Sequence, residues 1–208
     1  GDEITSESNN ISSFEKAVDL REIGVQTGWS LVHMAAIYAR FERGNDAMQC
    51  LNDIAKTCIQ KNFFTLHNDW RRMDISLEME SSATVQLDAL MGYVNAVQEM
   101  ILYSSEKLIK LLPALPDNMS KGKIDMWRFV GGSVNMEWDI KLGKFIAMLK
   151  ADRDIVIDIK LPKIFADKCR FLGNATVNQN GEIVSAKFKK GDVCLLYTSP
   201  SPRDTERS

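Results

Sequence analysis

The apolar pattern of this chain changes its period near residue 105, and few folds accommodate such a switch. Before it, apolar residues recur at intervals of three and four. In "SLVHMAAIYARFE", Leu31, Met34, Ala35, Tyr38 and Phe41 fall on one helical face, and in "NDAMQCLNDIAKTCI" so do Met48, Leu51, Ile54, Ala55 and Cys58. Gly44 between them suits a helix stop, and Asn45 and Asp46 suit the next start, so helix, tight turn, helix is predicted. A shorter helix is expected at about 13–22 and a longer one at about 83–104. The longer one has Leu87, Leu90, Met91, Val94, Val97 and Ile101 as its apolar stripe.

After Ser105 the runs become short and alternating. "LIKLLPAL", "KIDMWRF", "GSVNMEWDI", "KFIAMLKA", "DIVIDIKL", "CRFLG", "NATVNQ" and "EIVSAKF" read as strands. Turn signals separate them: Pro116-Asp117, Gly131-Gly132, Lys141-Leu142-Gly143 and Asn180-Gly181, the last with type I′ hairpin composition. The fold class predicted is α+β, with helices over 1–105 followed by a small antiparallel β-sandwich over 106–194. Helices that precede strands, and the lack of GxGxxG or GxxxxGK[ST], speak against a nucleotide-binding parallel sheet.

The remaining stretch, 195–208, reads "LLYTSPSPRDTERS" and breaks with what precedes it. It resembles a translated sequencing adapter and is expected to be a non-native, disordered tail. At the other end, "GDEITSESNNISS" has neither an initiating Met nor the basic and apolar regions of a signal peptide, which predicts an internal start. A net charge of −2 gives no electrostatic case for nucleic acid or an anionic membrane as partner. No apolar run approaches the roughly 20 residues that span a bilayer. The four cysteines form no CxxC pair and only two histidines are present, so neither a metal site nor a cofactor is expected.

Three places carry candidate chemistry. Trp29, in "TGWSLVH", stands at a helix mouth, where an aromatic face either stacks on a pyranose or staples the helix entry. The loop "NFFTLHNDWRRMD", residues 62–74, gathers His67, Asn68, Asp69, Trp70 and Arg71, a set suited to sugar hydroxyls or to a surface loop held by Asp69 and a neighbouring arginine. Asp88, in "VQLDALMG", lies near the positive end of the long helix, which favours its ionised form and suits either a base or charge stabiliser or a carboxylate that only complements the helix dipole. Gln86 beside it can reach a substrate group or cap a helix, and Gly92 one turn on hints at a close backbone approach. No Ser/His/Asp set or phosphate loop accompanies these residues.

Taken in order, "TGWSLVHMAAIYARFERGNDAMQCL", "HNDWRRM", "VQLDALMGYVNAVQEMILYS", "LIKLLPALPDNMSKGKI" and "GGSVNMEWD" resemble the C-terminal part of a family 95 glycoside hydrolase, over about residues 15–165. The resemblance implies an α-L-fucosidase, or a related α-L-galactosidase, with an (α/α)6 barrel followed by a β-domain. The 208 residues would supply the last barrel helices and that domain. It implies an inverting reaction in which a Glu is the general acid and Asn residues hold a water that an Asp polarises; Asp88 matches that Asp. Trp29, His67, Trp70 and Gln86 are the corresponding substrate-binding candidates, no metal is implied, and the substrate is a fucosylated glycan. The acid and the Asn pair would lie in an upstream part of the barrel, leaving this stretch inactive alone. Two positions depart from the family pattern: Leu90 stands where an Asn is expected, and Val85 where an aromatic is expected. The competing reading is a non-catalytic helical scaffold with a carbohydrate-binding β-sandwich.

Overall fold

A computed structural model describes residues 8–77 and 84–198. The chain divides into two units. One comprises residues 1–101 with 113–116, the other residues 102–112 with 117–208.

The first unit is helical. Its helices are α1 (Ser8–Asp19), α2 (Gly28–Arg40), α3 (Gly44–Thr57) and α4 (Leu87–Ile101). Helix α1 begins and ends earlier than the 13–22 expected, and residue 83, an expected start for α4, lies outside the described residues. Thr27 caps α2 by accepting the Ser30 N–H at 3.3 Å. Leu31, Met34, Ala35 and Tyr38 are buried on one face of α2, as their spacing predicts. They pack with Cys50, Leu51 and Ile54 of α3 and Ala96 and Met100 of α4 into one core.

Gly44 has a different role from the helix stop expected of it. The left-handed residue of the α2–α3 turn is Glu42, at φ 62°, and Gly44 is the first residue of α3. A Cβ at Gly44 would lie 2.4 Å from the carbonyl oxygen of Ala114, so glycine is needed there for contact and not for φ. No side chain caps α3, in place of the Asn45/Asp46 start expected. Ala55, assigned by spacing to the inner face of α3, is exposed.

Helix α4 corrects the sequence reading more deeply. Of the expected apolar stripe, Leu87, Met91 and Val94 face outward and Leu90 is half-buried, whereas Val97 packs on the core and Ile101 is buried; Ala89, Ala96 and Met100 make up the rest of the buried side. Small residues turn inward because α2 approaches closely: a Cβ at Gly92 would come 2.6 Å from Cγ2 of Val32. The helix also stops at Ile101, and Leu102–Ser104 form a strand.

The second unit holds two five-stranded sheets. The first has the order β1 (Leu102–Ser104), β2 (Leu108–Leu111), β6 (Ile155–Lys160), β9 (Ile183–Phe188) and β8 (Thr176–Asn180). The second has the order β3 (Lys121–Phe129), β4 (Gly132–Asp139), β5 (Lys144–Ala151), β10 (Val193–Tyr197) and β7 (Arg170–Gly173). All pairings are antiparallel except β2 with β6, which is parallel, so the first sheet is mixed where an antiparallel one was expected. Alternation sets one face of each sheet inward, with Ile157, Ile159, Val184 and Ala186 in the first and Phe145, Ala147 and Leu149 in the second. Phe145 stacks on Phe165 at a centroid distance of 5.2 Å.

The β8–β9 hairpin forms where "NG" signals it, but Asn180 pairs with Ile183 across the turn. Gly181 alone has positive φ, at 59°, so one such residue replaces the two that a type I′ turn needs. The tail reading is corrected at its start. Leu195–Tyr197 lie in β10 between β5 and β7, and Thr198 is buried, its hydroxyl accepting the Phe145 N–H and donating to the Gly143 carbonyl. Strand pairing on both sides and burial of Leu196 hold these residues in place. Residues 199–208 lie outside the described residues.

Candidate functional site

Three contacts set the direction of the helices in the first unit. The Trp29 N–H meets the Gln86 side chain, Val32 meets position 92, and Arg40 bonds Glu99 at 2.5 and 2.8 Å. The numbers rise together, so α2 and α4 run parallel. Helix α3, joined to α2 by a tight turn, runs opposite, and its C-terminal Cys58 Sγ lies by Gly28 at the start of α2. Both parallel helices therefore bring their amino ends, with their positive dipole ends, to the same end of the unit.

The loop after α3 ties that end together through its backbone. Gly28 N–H donates to His67 O at 2.9 Å, His67 N–H to Thr84 O at 2.8 Å, and Gln86 N–H to Thr65 O at 2.8 Å. The Thr65 hydroxyl in turn donates to Gln86 O. Trp29, His67, Gln86 and Asp88 are thus gathered at one mouth, although they lie up to two helices apart in sequence.

Each candidate has a definite position. Asp88 is exposed in the first turn of α4, as the second residue of the helix. The Oε1 of Gln86 accepts the Trp29 N–H at 2.8 Å, so this oxygen caps the neighbouring helix and its amide nitrogen is what can face a ligand. Trp29 is 43% exposed, and its ring lies 5.1 Å from that of His33, tilted by 52°. His67 is half-buried, with its main chain bridging the two helix starts.

Trp70 is 40% exposed, and the Arg71 guanidinium lies 4.4 Å over its ring. Arg71 also donates to the carbonyls of Ile59, at 2.6 Å, and Lys56, capping the C-terminal end of α3. Asp69 is buried and accepts the N–H groups of Arg71 at 3.1 Å and Met73 at 2.8 Å. It holds the loop through backbone groups in place of the arginine side-chain pair considered from the sequence. His33 belongs to the same mouth and was not singled out by the sequence. Its signal was its spacing, four residues from Trp29 on a helix.

All four cysteines are free and buried. Burial, with Asp53 and Asp46 adding to it, pushes the Cys50 thiol up to about 12. Burial likewise raises Cys58 and lifts Cys169 and Cys194 to about 11, so none is an activated nucleophile. Among the described residues, no group of three or more His, Cys, Asp or Glu is placed to hold a metal ion. Among the same residues, no helix is long and apolar enough to cross a membrane.

The class so defined is an α-helical unit of alternating helix direction, with a carboxylate and aromatic groups gathered at one mouth, joined to a β-sheet unit. Residues 1–101 match the glycosyl hydrolase family 95 catalytic domain. It is also 29% identical over 124 residues to alpha-L-fucosidase 2 of Arabidopsis thaliana. That similarity takes in 53% of this chain and 13% of the relative's length.

Proposed function

We propose that this chain is part of a glycoside hydrolase that releases terminal fucose, or a closely related sugar, from glycans with inversion, and that the 208 residues are inactive alone. The observation that carries the reading is Asp88 at the shared amino end of two parallel helices, inside the stretch matched by the family. Parallel α2 and α4 with antiparallel α3 between them is the arrangement of successive inner and outer helices in an α/α barrel, which supports assigning them to its last helices. In this position the Asp88 carboxylate, exposed at the amino end of α4, is suited to polarising groups that hold a water. Inversion needs a separate general acid with room for water between the two groups, supplied by the rest of the barrel. Trp29, His67, Trp70 and the amide nitrogen of Gln86 are the sugar-binding groups of this reading.

The test is hydrolysis of an aryl α-L-fucoside by a chain extended upstream to a complete family catalytic domain. The extended chain is expected to release the β-anomer first, by NMR, and Asp88→Asn to lower kcat by about a hundredfold or more. Undiminished turnover in Asp88→Asn would remove Asp88 from the mechanism.

A further inference from the structure

Helix α2 carries Trp29, His33 and Arg40 at spacings of four and seven, which places them along one face. Helix α4 carries Asp88, Asn95 and Glu99 at spacings of seven and four, again along one face. The Arg40–Glu99 pair, bonded at 2.5 and 2.8 Å, fixes these two faces to the same side of the helix pair. Gly92 lies against Val32 at the seam, so no side chain rises from position 92 to separate the two rows. His33, Asp88 and Asn95 are all exposed on this side, while the core lies on the other. The result is an open strip floored by the helix seam. The Arg40–Glu99 ion pair stands towards its carboxyl end, and Trp29, His33 and Asp88 towards its amino end.

Within the strip, the Trp29 and His33 rings are 5.1 Å apart and inclined at 52°. An indole face offers an apolar surface to the C–H face of a pyranose, and an inclined imidazole beside it offers one donor and one acceptor to the sugar's hydroxyls. From this geometry we infer that His33 is a sugar-positioning residue, holding a hydroxyl of a pyranose stacked on Trp29 on the side of the site that faces Asp88. The inference rests on the reading of this mouth as a fucose site and adds to it a residue that fixes the orientation of the sugar.

The experiment is an NMR titration of the 208-residue chain with L-fucose, following the indole N–H of Trp29 and the imidazole C–H signals of His33. Both are expected to shift with one dissociation constant. His33→Ala should weaken binding roughly five- to tenfold, the range of one lost hydrogen bond, and His33→Gln should restore it to within about threefold. Because His33 is exposed, neither variant should move the denaturation midpoint, which separates positioning from a structural role. If Trp29 responds while His33 stays still and His33→Ala binds normally, the inference fails and the fucose site stands. If neither residue responds, both are overturned.

Discussion

Every helix start leaves backbone N–H groups without partners, and at Trp29 the missing acceptor is supplied by a side chain 57 residues further along the chain. The Gln86 oxygen accepts this N–H at 2.8 Å while its backbone pairs with Thr65, so one residue joins α2, the loop and α4. Removing the side chain opens the amino end of α2 at the same place where Asp88 and Trp29 are positioned. Gln86→Ala is therefore expected to lower stability by about 1 kcal/mol, the size of a lost cap at a partly solvated site, whereas Gln86→Glu keeps the acceptor and stays close to the parent. Urea unfolding followed by circular dichroism measures this, and an unchanged midpoint for Gln86→Ala would refute the capping role. The placement of these residues, as distinct from their chemistry, was only partly legible beforehand. The types of Asp88, Trp29 and His67 and their order point to a site, but the Gln86–Trp29 bond joins distant segments and leaves no local pattern. His33 was passed over for a related reason, since only its ring contact with Trp29 and the side of the helix fixed by Arg40–Glu99 give it meaning.

At the scale of elements, residues whose spacing has one interpretation were readable, and residues that pack on both sides were not. The α2–α3 hairpin and strands β2 to β9 follow from period and turn residues. Helix α4 misleads because it is apolar on two faces. Leu87, Met91 and Val94 give the stronger hydrophobic signal, yet the close approach of α2 selects Ala89 and Ala96 for the core. Strand β1 continues directly from α4 with no breaker between them, and β10 is hidden by a composition that resembles a tail. Gly44 was read from its φ preference when the relevant property is the absence of Cβ. A methyl group there would meet the Ala114 carbonyl oxygen at 2.4 Å and its carbon at 2.7 Å, and a backbone cannot rotate away as a side-chain tip can. Gly44→Ala is expected to destabilise the helical unit by about 1–3 kcal/mol, more than the gain of up to about 1 kcal/mol from helix propensity. Gly24→Ala, where nothing lies within 4 Å, is the matched control and should be near neutral. Thermal unfolding of the two variants decides this, and equal midpoints would refute the close-contact account.

At the scale of the whole molecule, the outward row on α4 is the feature the fold leaves unresolved. Leu87, Met91 and Val94 are 56%, 68% and 61% exposed and stand at spacings of four and three, so they form one continuous apolar strip. Burying apolar area is worth roughly 25 cal/mol per Å², so a strip of large side chains left in water favours association with another apolar surface. The same strip follows naturally if α4 is a barrel helix whose neighbour lies elsewhere in a longer protein, as proposed above. In either case the 208-residue chain is expected to self-associate with rising concentration, and the triple substitution Leu87→Gln, Met91→Gln and Val94→Gln to shift it towards monomer. Glutamine keeps high helix propensity and these side chains contribute little to the inner core, so helical content should be retained and stability change by less than about 1 kcal/mol. Light scattering coupled to size exclusion over a concentration series reads the mass directly. A parent chain that stays monomeric throughout would show that the strip is tolerated in water. Association that survives the triple substitution would locate the adhesive surface elsewhere on the molecule.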